Sequence, residues 1–139
     1  TDLALLDATI AAAGGGAPGP ALDNLVQRGA QGGPKSPAQP GALILMALGA
    51  RLSPDARAEV LSFEPPRGTA SPAKLALHRA AVAAGSKGET ALLTLAVGLD
   101  AGWAGPAPAD RARMLGGLRE VGLAEDARAL AVEGLVGLK

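Results

Sequence analysis

The chain reads as an all-α protein of about eight short helices, folded as stacked antiparallel helix hairpins in a solenoid-like or compact right-handed array. Three observations predict this. First, the apolar residues are mostly Ala, Leu and Val, at 48% hydrophobic overall, with Phe63 and Trp103 the sole aromatics. Small side chains let helix axes approach, whereas sheets lean on β-branched and aromatic residues. Second, a pattern occurs at least twice, with a third, looser copy expected at the start of the chain. Ala42 to Ala50 followed by Ser53-Pro54-Asp55 to Leu61 matches Ala91 to Leu99 followed by Ala107-Pro108 to Leu115. Each copy is an apolar helix, a Pro-containing turn and an amphipathic helix, a unit used more than once as in helical arrays. Third, helix start and stop residues punctuate the whole length.

The elements follow in order. Asp2 is placed to cap a helix from Leu3 to about Ala13, which Gly14-Gly15-Gly16 ends. Pro18 and Pro20 open a second helix, with Leu22, Leu25 and Val26 on one face, running out near Gly29 to Gly33. Pro34, Pro37 and Pro40 remove donors and push their predecessors out of the α region, so the main loop is expected there. An apolar helix follows from about Gly41 to Leu52. Ser53-Pro54-Asp55 and Ser71-Pro72 are start signals, a Ser cap before Pro at the first helical position. Pro65-Pro66 separates those two helices, and Gly85 ends the second. Ser86 and Glu89 fit a capping box for a helix whose Leu92, Leu95 and Leu99 form its stripe. The helix from Pro108 carries Met114, Leu115, Leu118 and Val121 along one side and ends at Gly122. The last helix has Ala127, Leu130, Ala131, Gly134, Leu135 and Leu138 on one stripe, which is expected to close the array against the Ala91 to Leu99 helix.

The 139 residues fit one domain, with internal units at roughly 1–33, 41–64 and 71–139. A first residue other than Met fits a module of a larger protein or a mature form. Thirteen basic residues balance thirteen acidic ones, for a net charge of +0. That balance argues against a nucleic-acid surface and against a polybasic membrane patch. No apolar run reaches the ~20 residues of a membrane span. The lack of Cys removes disulfides, thiol catalysis and thiolate metal sites and leaves the compartment open, cytoplasmic slightly ahead of periplasmic.

The stretch Leu118 to Ala131 resembles the second half of a tetratricopeptide-like or related α-solenoid unit, in which a helix ends at Gly and a short turn leads into a small-residue helix. The likeness covers Ala91 to Lys139 and, more loosely, Gly41 to Leu61. The copies do not keep that family's fixed spacing, and its Trp and Tyr positions are not matched. The resemblance implies protein–protein interaction in general and no particular contact residues.

No cluster names a reaction. His78, the single His, shares a short amphipathic helix with Lys74 and Arg79 and is expected on its solvated side. Asp100, Asp110, Glu125 and Asp126 lack calcium-loop spacing, and Asp110 and Asp126 fit helix starts. Gly14 to Gly19 lacks the Lys-Ser/Thr end of a phosphate loop and reads as a turn. Trp103, in the turn Gly102 to Gly105, is expected either to clamp helix ends or to anchor a partner. Arg111, Arg113, Arg119 and Arg128 are expected to form a mixed-charge surface with Glu120, Glu125 and Asp126.

The expected function is therefore a non-catalytic protein-interaction or scaffold module for a protein or peptide partner. Trp103, Arg111 and Arg113 are its candidate contacts, and no cofactor, metal or catalytic residue is expected. The alternatives are a small-molecule or lipid-binding helical bundle, and an accessory domain of an enzyme whose catalytic part lies elsewhere.

Overall fold

A computed structural model of the chain describes residues 2–138, and these form eight α-helices and no strand. They are α1 (Asp2–Ala12), α2 (Pro18–Gly32), α3 (Ala38–Ala47), α4 (Pro54–Val60), α5 (Pro72–Ala83), α6 (Lys87–Ala101), α7 (Pro108–Glu120) and α8 (Ala124–Val136). A 3-10 turn, Gly102–Ala104, joins α6 to α7.

The punctuation residues act largely as their chemistry requires. Ser53 accepts the Ala56 N–H, and Ser71 accepts the Lys74 N–H, so both serines cap the helices that Pro54 and Pro72 begin. Gly14, Gly85 and Gly122 take positive φ where α1, α5 and α7 end, a region that side chains with a Cβ avoid. Ser86 stands at the N-cap of α6, but its hydroxyl makes no cap hydrogen bond, so the expected capping box is not formed.

The proline-rich stretch is corrected. Helix α3 starts at Ala38 and holds Pro40 in its first turn. A first-turn N–H has no intrahelical acceptor, so proline loses nothing there. The longest irregular stretch is instead residues 61–71. Gln39, buried at the start of α3, explains why the earlier loop is short. Its Nε2 donates to the Gly29 and Gly33 carbonyls, and its Oε1 accepts the Glu64 N–H. One side chain thus binds the end of α2, the start of α3 and the following linker.

Helix α3 lies at the centre and touches α1, α2, α7 and α8. Leu22, Leu25 and Val26 of α2, Ile44 and Leu45 of α3, Leu115 of α7 and Leu135 of α8 make one core. Its helices come close through small residues. At Gly41 a Cβ would press on Leu5, Leu25 and Leu135, so this glycine lets α1, α2 and α8 converge on α3. Helices α7 and α8 pair antiparallel, with Arg111 near the start of α7 reaching Leu130 and Glu133 late in α8.

Two packing expectations are overturned. Helix α4 packs on α2 and not on α3, held also by the Ser53 N–H to Asp23, so the first copy of the repeated pattern is not a hairpin. Helix α8 closes against α1, α3 and α7, and never reaches α6. The first and last helices are therefore neighbours, and the array is a closed, compact one. The α5–α6 hairpin stands outside this core and meets it through α7 alone.

Candidate functional site

The isolation of the α5–α6 hairpin leaves a helix face without a partner. Leu92, Leu95 and Leu99 lie at i, i+3 and i+7 on α6, the spacing of one helix face. They are 68%, 58% and 72% exposed. The expected core stripe is thus the solvent face. The opposite side of α6 makes the contacts with α5 and α7, where Thr90 and Val97 are buried. Gly88 and Ala91 continue the exposed face without charge, and Trp103, one turn beyond Leu99, is fully exposed. Trp103 is therefore no clamp on the helix ends.

These residues define an apolar patch of about 300–500 Å², taking two whole leucines and one Trp at typical buried areas. A patch of that size on a monomer is commonly a contact surface.

Arg111 and Arg113 do not join it. Arg111 is 5% exposed and points into the α7–α8 interface, which corrects its assignment to a solvated surface and to partner contact. Its Nη1 donates to the Leu130 carbonyl at 3.1 Å and lies 3.8 Å from the Glu133 carboxylate. Burial lowers its pKa and Glu133 partly restores it. The side chain occupies the space that a Cβ at Gly134 would take, so α8 carries glycine where the guanidinium stem crosses it. Arg113 is exposed and borders a groove between α5 and α7 with Arg79 and Glu120.

His78 is also corrected: it is 5% exposed, at the joint of α5 and α7. Its ring lies against Gly117, where any Cβ would collide with it and with Val82. Its Nε2 is buried without a hydrogen-bond partner among the described residues, and burial pushes the imidazole pKa below its ordinary value. A desolvated base of this kind stays neutral and packs as an apolar ring.

Asp110 stands in the first turn of α7, as expected of a helix-start acid, but its carboxylate is buried. The residue is 2% exposed, and its Oδ2 accepts the Thr69 and Ala70 N–H groups at 2.7 and 2.8 Å. Gly68 lies against the same carboxylate, with no room for a side chain. This clamp ties the 61–71 linker to the first turn of α7, so α5 and α7 begin at the same end. Nothing in the sequence marks Asp110 apart from other first-turn acids. The one available signal was Gly68 in the linker, a residue that permits close approach.

The acids weighed for a cation do not converge. Asp100 pairs with Lys74, Asp110 faces the linker, and Glu125 and Asp126 are exposed on α8. Among the described residues no group of three or more His, Asp or Glu is placed to hold a metal ion, and no helix is long and apolar enough to cross a membrane.

The class the fold defines is a closed all-α bundle with an appended hairpin. No family model, no curated protein and no solved structure matches the chain.

Proposed function

We propose that this chain is a protein-interaction module whose α6 face docks one amphipathic helix of a partner protein. The observation that supports it is the row Leu92, Leu95 and Leu99 with Trp103, held in water on a hairpin that the core does not cover. Area selects the kind of partner. A standard interface buries about 800 Å² on each side, and this patch offers roughly half of that. It suits a single helix laid along α6, read by anchors at i, i+3 and i+7, and is small for a globular domain. The net charge of +0 adds little long-range steering, so docking rests on apolar contact and shape.

Trp103 is a clean reporter, since the chain has no other Trp and no Tyr. A synthetic amphipathic peptide with leucines at i, i+3 and i+7 should shift its emission to the blue as the indole leaves water. Leu95→Glu should abolish the shift while leaving the helical circular dichroism and the urea midpoint unchanged, because Leu95 supports no core. Emission that stays at the solvated wavelength, or a shift that survives Leu95→Glu, refutes the proposal. Light scattering should find a monomer. A dimer that Leu95→Glu dissociates would replace the partner helix by a second copy.

A further inference from the structure

At the far end of α7 from the Asp110 clamp, five elements converge on a cavity of about 360 Å³. The ends of α1, α3 and α7 and the beginnings of α2 and α8 surround it. Its floor is apolar, made by Ala12, Leu45, Leu48 and Ala50 among others. Two guanidinium groups, of Arg119 and Arg128, line it, and no acidic residue does. Neither arginine has a carboxylate within ion-pair distance among the described residues, where the ion pairs are Lys74–Asp100 and Arg111–Glu133.

Glycine turns border both arginines, and at Arg119 the glycine is what makes room. Gly49, at φ +90°, ends α3, and the Arg119 guanidinium fills the place its Cβ would occupy. Gly14, at φ +91°, ends α1, and Arg128 Nη1 lies 3.9 Å from where its Cβ would be. The glycine turn after α1, which lacks every mark of a phosphate loop, serves here as wall and not as donor. Two like charges therefore open on one cavity without an ion-pair partner among the described residues, above an apolar floor.

We propose that this cavity binds a small aliphatic carboxylate, its head between Arg119 and Arg128 and its chain on the α1–α3 floor. The volume falls in the range of ligand sites, about 300–1,000 Å³, which are mostly apolar with a few placed polar groups. A planar guanidinium matches a planar carboxylate through two parallel N–H···O bonds. Inorganic phosphate would satisfy the arginines and leave the apolar floor unused, so the two halves of the cavity together select an anion with an aliphatic body. This inference is independent of the α6 face, since no residue of α6 lines the cavity.

The same chemistry occurs in a free fatty acid and at the C-terminus of a polypeptide ending in Leu. Calorimetric titration with octanoate and with acetyl-Ala-Leu separates these sources, and octanamide and acetyl-Ala-Leu-amide are the neutral controls. At least one acid should bind, and its amide should bind at least about tenfold more weakly, one charge-assisted pair being worth that much or more. Binding of octanoate alone assigns the free acid, and binding of the dipeptide alone assigns a chain terminus. Arg119→Gln and Arg128→Gln should each weaken binding by a similar factor, and both are exposed, so the fold should persist. Leu95→Glu should leave octanoate binding unchanged, which separates this cavity from the α6 face. Equal binding of acid and amide, unaltered binding in both arginine variants, or no heat from either acid at millimolar concentration would overturn the proposal.

Discussion

Replacing Asp110 by Ala should be among the costliest single changes in this chain outside the hydrocarbon core. The carboxylate is 2% exposed and accepts two backbone N–H groups at 2.7 and 2.8 Å. Hydrogen bonds to a charged group contribute about 1.5–3 kcal/mol each. Thr69 is exposed and Ala70 only half-buried, so both N–H groups regain water once the acceptor is gone, which places the net loss at about 2–4 kcal/mol. That is a large part of the ~5–15 kcal/mol that stabilises a typical domain. Asp100 provides the contrast. It pairs with one side chain, Lys74, and the two side chains are 56% and 35% exposed. An exposed ion pair is worth about 0–1 kcal/mol, so Asp100→Ala should change stability little. Urea denaturation followed by circular dichroism compares the two, with an unchanged slope showing that the same surface unfolds. Hydrogen exchange adds the local readout, since Asp110→Ala should release the Thr69 and Ala70 amides. If Asp110→Ala costs no more than Asp100→Ala, or if those two amides keep their protection, the clamp is not what joins the linker to α7.

Two further outcomes follow from buried groups. The lowered pKa of His78 means that below the ordinary imidazole value of 6.5 the unfolded chain takes up a proton that the folded chain refuses. Stability should therefore be full above that pH and fall as pH drops through the window beneath it. The fall should vanish in His78→Leu, as urea midpoints at neutral and mildly acidic pH would show; Arg79, Arg113 and Glu120 border the same groove, and burial is the cause of the shift. Gly134→Ala should destabilise by about 1–3 kcal/mol through overlap with the Arg111 stem, despite the ~0.5–1 kcal/mol that Ala gains over Gly within a helix. In an Arg111→Ala background the same change should become neutral or stabilising, a sign reversal that a double-mutant cycle detects.

Local chemistry made much of the helix inventory legible. A serine before proline can cap a helix wherever it occurs, and Ser53 and Ser71 do so. Glycine alone enters the left-handed region without strain, so Gly14, Gly85 and Gly122 ended helices whatever lay around them. Leu22, Leu25, Val26, Met114, Leu115, Leu118 and Val121 are all buried, because their helices have stripes flanked by helices on the inner side. What periodicity cannot reveal is which stripe finds a partner. The stripes of α2, α7 and α6 look alike along the chain, yet α6 keeps Leu92, Leu95 and Leu99 in water because α8 turns toward α1 and α3. Burial of the polar residues was equally a matter of assembly. Arg111 and Arg113 are two positions apart in one helix, and a rotation of about 200° along the 3.6-residue turn sends one into the α7–α8 interface and leaves the other outside. His78 is covered because Gly117, remote in sequence, leaves room for its ring. Sequence alone determined most helix starts and stops and which helices carry an apolar side, the start of α3 excepted; only the tertiary structure decided which of those sides meet, since that depends on contacts between residues that no local pattern connects.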